Sequence, residues 1–264
     1  MTGSPEGDDR TERLTAGGTF SRATARIRDD PVLLVPFALA GFVLAVLDWL
    51  RLQDPIPTLE GRAIDSSGVE ISLEFVGYPT GTPGTARRVS ALVDLEAPYL
   101  LWAVGLEIIA VLVVAAAGWY TIVRAAGVEP TRAGFASYLG VVVLFGAAFR
   151  LLSSVGDVGP LGPAGFLLVL GLLVVIVLFV FARIFLTPAL AALVDSPWTA
   201  IRRSVAHSSG HELGLAGLVV GFGLGAWLFG TVPYVGVLAS SVAVGAVHAV
   251  STVIALEAVV DGPV

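Results

Sequence analysis

The stretch Ala164–Ala182, AGFLLVLGLLVVIVLFVFA, carries no charge, no amide and no hydroxyl over nineteen residues. As a helix it would be about 28 Å long, close to the hydrocarbon thickness of a bilayer. A water-soluble domain has no use for such a run, so it reads as a membrane-spanning helix. Five further apolar segments resemble it. The chain is 56% hydrophobic and 14% charged, with mean hydropathy +0.88, whereas soluble domains keep about a quarter of their residues charged. The sequence therefore predicts an all-α polytopic membrane protein.

Six spans are expected at about 31–50, 98–125, 135–153, 164–190, 212–229 and 234–260. Residues 1–18 are mostly Ser, Thr, Gly, Asp, Glu and Arg and read as a disordered tail. They are too polar for a secretory signal, and Ala38-Leu39-Ala40 lies within an apolar run that continues past it, so span 1 is expected to stay uncleaved. Thr19–Arg28 places Phe20, Ala23 and Ile27 on one helical face and Arg22 and Arg26 on another, the pattern of an interfacial amphipathic helix. Asp30 and Pro31 then suit the start of span 1. A second interfacial segment starts with Ser196 as N-cap and Pro197 at the first helical position. It sets Trp198, Ile201 and Val205 against Arg202, Arg203 and His207.

Residues 51–97 form the one long polar segment between spans. Val69, Ile71, Leu73 and Phe75 alternate with polar residues at the period of a half-buried strand, YPTGTPGT is a turn signal, and Arg88–Leu95 is a candidate return strand. A small β-hairpin outside the membrane is expected. A lone hairpin is marginal in water, so it should rest on the helix ends or on a protein partner.

Six spans put both ends on one side. With the ends inside, the inner segments hold Arg10, Arg13, Arg22, Arg26, Arg28, Arg124, Arg132, Arg183, Arg202 and Arg203; the outer ones hold Arg51, Arg62, Arg87, Arg88 and Arg150. This bias favours termini in the cytoplasm and a cell-membrane location. Trp49, Tyr99, Trp102, Trp227 and Tyr234 fall at outer span ends, and Trp119, Tyr120, Tyr138 and Trp198 at inner ends, as an aromatic belt requires. Arg-bearing segments precede spans 1, 3 and 5, which suggests three related helical hairpins against the default of a generic six-helix bundle.

Composition also removes function classes. Without cysteine there is no thiolate metal site, disulfide or cysteine nucleophile. All fifteen basic residues are Arg and net charge is −6, so a nucleic-acid partner is not expected. Acidic, lysine-free surfaces suit a high-salt cytoplasm, and a GC-rich genome explains the same bias. No nucleotide loop, hydrolase elbow or paired acid motif is present, so neither a cofactor nor an enzymatic site is expected. His207, His211 and Glu212 lack the order, the helix continuity and the third ligand of a metal site.

Charged groups inside spans are costly and usually pair. Counting depth along the spans suggests three pairs: Asp48 with Arg150, Glu107 with His248 near the midplane, and Arg183 with Glu257. They read as structural glue, or, for Glu107 and His248, as a proton relay in a small-solute transporter or permease subunit. Gly217, Gly221 and Gly225 recur every four residues, a groove for close approach of another helix, with span 6 the expected occupant.

From Phe185 to Val220 the chain reads FLTPALAALVDSPWTAIRRSVAHSSGHELGLAGLVV. An F-x-x-P span end (Phe185–Pro188), a short acidic stretch (Val194–Ser196), an A-x-x-R-S segment (Ala200–Ser204) and a Gly-bearing span succeed one another. This resembles uncharacterised prokaryotic multi-helix membrane proteins, including the membrane domain that accompanies some glycerophosphodiester phosphodiesterases. The phosphodiesterase barrel and its acidic ligands are absent, so the resemblance implies a six-helix membrane module and no activity. The leading expectation is a non-enzymatic scaffold or accessory module, with 51–97 as a docking surface. Reporter fusions at Gly159 and at the C-terminus should report opposite compartments; the same compartment for both would end the six-span topology.

Overall fold

A computed structural model describes residues 14–60, 77–82, 84–87, 89–92, 95–154, 163–193, 196–230, 232 and 235–260. Six segments are long and apolar enough to cross a membrane: Pro31–Gln53, Ala97–Ala126, Arg132–Phe149, Val174–Leu193, Glu212–Phe229 and Gly236–Val259. The protein is a multi-pass membrane protein. Lipid-facing surface is abundant, with Leu39, Phe42, Leu101, Val175, Phe179, Leu224 and Trp227 among the exposed large apolar side chains. Such exposure is natural where hydrocarbon rather than water is the solvent.

Helix α1 (Ala16–Asp29) precedes the spans. Span 1 is a 3₁₀ turn, Pro31–Leu34, running into α2 (Val35–Gln53). Spans 2 and 3 are α3 (Ala97–Ala126) and α4 (Arg132–Ser154). Span 4 is α5 (Pro163–Ile184) followed, after a turn at Phe185 and Leu186, by α6 (Thr187–Leu193). The surface helix α7 (Pro197–His207) leads to span 5, α8 (Glu212–Gly230). Span 6 is α9 (Gly236–Ser240), a π turn (Ser241–Gly245) and α10 (Ala246–Val259). We call the two ends of the bundle the α1 end and the strap end, after the features that cover them.

The expectation of one unbroken span over 164–190 is corrected. Pro188 has no N–H to offer the Ile184 carbonyl, so the helix stops one turn before it. The break also frees the carbonyl of Arg183. Two hydroxyls from α7 satisfy it: Ser204 Oγ donates at 2.9 Å and Ser208 Oγ lies 3.1 Å away. The F-x-x-P element and the A-x-x-R-S element are thus two halves of one device, a break and its repair. In return, the Arg183 guanidinium donates to the Val205 carbonyl at 3.2 Å, which fixes α7 against α5.

Helix α1 covers the expected Thr19–Arg28 and starts three residues earlier, capped by the Thr15 hydroxyl, and it buries Thr19, Ala23 and Ile27. Its apolar face packs on α10 and α8. The glycine groove of span 5 is therefore filled chiefly by α1, not by span 6. A Cβ on Gly217 would lie 2.9 Å from Ala16 Cβ, and one on Gly221 would lie 2.7 Å from the Phe20 ring. Gly225 alone faces span 6, at Val244. Phe20 needs the space because its ring sits 4.9 Å from that of Phe222.

The expected strand Val69–Phe75 lies outside the described residues, as do residues 1–13 of the expected tail 1–18; the rest of that tail is corrected, since Thr15 caps and Ala16–Gly18 open α1. Val89–Leu92, within the expected return strand, is a 3₁₀ turn. The described pairing is a two-residue antiparallel ladder, β1 (Leu59–Glu60) with β2 (Thr85–Ala86).

Candidate functional site

The strap end is covered by non-helical chain. Residues 77–81 and Thr85 are buried. Unpaired backbone at the level of helix ends must find protein partners, and the strap finds them on four spans in turn. Gly77 packs on Phe145 and Phe149 of α4, where a Cβ would come within 2.6 Å of the Phe149 ring. Gly81 lies so close to span 6 that a Cβ would sit 2.7 Å from Ser241 Cα. The Thr82 N–H donates to Ser240 Oγ at 2.9 Å, and its hydroxyl donates to the Ala226 carbonyl of α8 at 3.0 Å. The Gly84 N–H donates to Asp48 Oδ2 of α2 at 3.0 Å. Ala226 and Asp48 lie four and five residues inside their helices, so the strap enters the bundle by about 6–8 Å.

Beneath the strap lies a charge cluster. Arg51, its side chain 6% exposed, donates to Asp48 Oδ1 at 3.2 Å and to Glu107 Oε1 at 2.8 Å. Thr85 of the strap donates its hydroxyl to Asp48 and accepts from Arg51 at 3.4 Å. A second cluster adjoins it. Arg87, its side chain 2% exposed, pairs with Asp54 and donates to Thr58 Oγ1 at 3.3 Å, and Trp102 Nε1 donates to Asp54 at 3.1 Å. Three carboxylates and two guanidiniums thus bind span 1, span 2 and the strap together. In so dry a setting each charge is tolerable only through its partners.

Glu107, Arg183 and Glu257 have described partners other than those expected, while the expected pair of Asp48 with Arg150 lies outside the described side chains. Asp48 spends its oxygens on Arg51, Thr85 and Gly84, and the side chain of Arg150 lies outside the described residues. Glu107 pairs with Arg51, not with His248. The residue count misplaced it because α3 is 30 residues long, about 45 Å and well beyond a bilayer core. Its first turns therefore protrude, and Glu107 lies nearer the strap end than the midplane. His248, fully buried, clusters with Phe222 at 4.4 Å and Phe185 at 5.4 Å, whose own rings lie 6.2 Å apart, joining spans 4, 5 and 6. Arg183 pairs with Glu212 at 2.9 Å and lies over the Phe179 ring, while Glu257 takes a two-pronged contact from Arg26 of α1, 3.1 Å at the closest. Arg183 and Glu257 lie at similar depths, but each has a nearer partner from a segment between spans.

The α1 end is held by ion pairs of that kind. Arg124 grips Asp30 at 2.7 and 3.0 Å, and the guanidinium beside it holds the Asp30 carboxyl below its ordinary range. His207 Nδ1 sits 2.7 Å from the Arg203 carbonyl, and Glu212 is committed to Arg183. Among the described residues no three His, Asp or Glu side chains gather to hold a metal ion.

Scanned against models of protein families, curated proteins and solved structures, the chain matches none.

Sequence reasoning missed Arg51 as an intramembrane partner because it was assigned to the loop after span 1. The signal was present: Asp48 and Arg51 stand at i, i+3 on one helix, where oppositely charged side chains meet. Arg51→Gln removes the guanidinium that contacts both Asp48 and Glu107. The expected loss is about 3–5 kcal/mol, read as a fall in the thermal unfolding midpoint of the detergent-solubilised chain. Glu107→Gln with Arg51 intact should cost less, because Asp48 still balances the guanidinium.

Proposed function

We propose that the protein is a non-enzymatic scaffold or accessory module of the cell membrane, with both termini in the cytoplasm and the segment 51–97 as its surface for a protein partner outside. The carrying observation is the strap. It touches spans 1, 3, 5 and 6 directly, and it ties the described part of 51–97 to the charge cluster. A docking surface needs such a rigid base. The clustering of buried His248 with the stacked rings of Phe185 and Phe222 supports a structural role for that residue, as expected of membrane polar groups that serve as glue.

The arginines support the orientation. At the strap end, Arg51 and Arg87 are buried in ion pairs. At the α1 end, Arg22, Arg28, Arg132, Arg202 and Arg203 stand exposed, where the positive-inside rule wants them. The bidentate Arg26–Glu257 contact and the filled glycine groove hold the amphipathic helix against the bundle at that interface.

Transport is the competing reading, with Glu107 and His248 as the polar path. It requires the strap to leave its seat. Reconstituted in sealed vesicles carrying a pH-sensitive dye, the full chain should pass protons no faster than empty vesicles. Glu107→Gln and His248→Ala should lower folded yield without changing flux. A proton flux that either substitution abolishes while the protein stays folded would replace the scaffold reading with the relay.

A further inference from the structure

The surface helix α7 is held in one rotational setting. The Ser204 and Ser208 hydroxyls sit on the Arg183 carbonyl, and Arg183 returns a bond to the Val205 carbonyl. Ala200 and Ser204 are fully buried against the neighbouring helices. With one side so anchored, the sectors left outside follow from the helical repeat of about 100° per residue. Taking Trp198 as zero, Val205 lies about 20° and Ile201 about 60° to one side, while Arg202 lies about 40° and Arg203 about 140° to the other. The buried residues occupy the opposite sector. Trp198 is 66% exposed and Val205 is exposed beside it, and α7 packs on α5, whose Val175, Ile176, Phe179 and Val180 are exposed as well. Arg202 is exposed next to Trp198 on the other side, and Arg203 is exposed farther round the helix.

Charge adds a second argument. Neither α5, α6 nor α7 contains a carboxylate. Glu212, at the start of the next helix, is already paired with Arg183. The two guanidiniums therefore stand without a described acid facing them from the helices packed on α7. An aromatic ring at the edge of the apolar layer with arginines beside it is the arrangement that meets lipid headgroups.

We infer that α7 is a recognition helix for anionic phospholipid: Trp198 and Val205 enter the acyl boundary, and Arg202 and Arg203 bind the headgroup phosphates. The partner is a lipid surface of net negative charge, phosphatidylglycerol being the simplest form. This goes beyond the scaffold reading and holds equally for a carrier, because it rests only on the span assignment and on the fixed setting of α7.

The test uses the full chain in nanodiscs of phosphatidylcholine with and without phosphatidylglycerol, followed by native mass spectrometry of the lipids that stay bound. An arginine near an anionic surface contributes about a fivefold preference, so wild type should favour phosphatidylglycerol by up to about thirtyfold through the pair. The preference should shrink as salt rises. Arg202→Gln with Arg203→Gln should abolish it, Arg202→Lys with Arg203→Lys should keep most of it, and Arg28→Gln with Arg132→Gln should leave it intact. A preference that survives the α7 glutamines, or that the Arg28 and Arg132 glutamines remove equally, overturns the assignment. Tryptophan quenching by bromine-labelled lipids gives a second reading that needs no arginine variant. Brominated phosphatidylglycerol should quench wild type more than brominated phosphatidylcholine does, and Trp198→Phe should remove that difference; equal quenching by the two lipids overturns it as well.

Discussion

Hydrocarbon offers a backbone amide or carbonyl no partner, so every interruption of a helix within the bilayer must be repaired by protein. The architecture turns on that requirement. Among the described residues, three interruptions show how protein meets it. Two serine hydroxyls from α7 meet the carbonyl freed at the Phe185–Leu186 break. The strap spends its N–H groups on Ser240 and Asp48. The π turn at Ser241–Gly245 is packed between Gly41 of span 1, which meets the Ser241 side chain, and Phe37, whose ring leaves no room for a Cβ on Gly245. A wide turn displaces side chains outward, and small residues on the facing elements absorb the displacement.

These repairs also explain why charge is distributed as it is. At the strap end the guanidiniums are enclosed and matched against Asp48, Asp54 and Glu107, since the polar strap brings its own Thr85 and Arg87 into a region the spans would otherwise leave apolar. At the α1 end the ion pairs Arg26–Glu257, Arg124–Asp30 and Arg183–Glu212 each join a span end to a neighbouring helix or segment, and the remaining arginines face outward. Exposed pairs of this kind contribute little individually. Their role here is positional: they register α1 and α5 against the helices they touch, while burial supplies the adhesion.

Much of this was legible in the chain. Six spans follow from the lengths of the apolar runs, and the observed helices agree with them to within a few residues at most ends. The glycine spacing of span 5 correctly announced a close approach, but the spacing carries no information about which element approaches, and Phe20 of α1 took the place expected of span 6. The described partners of Glu107, Arg183 and Glu257 were not the expected ones for a related reason. Depth counted along a sequence assumes that each helix begins at the membrane surface, and α3 does not. Pro188 was a readable break, yet its consequence, an orphan carbonyl three-dimensionally beside Ser204, depends on how α7 folds back. Strand alternation at 69–75 carries no information about the strap, whose anchors Gly81, Thr82, Gly84 and Thr85 lie inside what reads as a turn.

The central claim is that the strap seals its end of the bundle. The chain has no cysteine, so single-cysteine probes report cleanly. Thr80, buried in the strap at 7% exposure, and Gln53, exposed at the end of α2, can each be replaced by Cys and treated with a membrane-impermeant maleimide in sealed vesicles. The account predicts that Gln53→Cys labels rapidly from the strap side while Thr80→Cys stays protected until the protein is unfolded. Equal labelling of the two in the folded protein would contradict it.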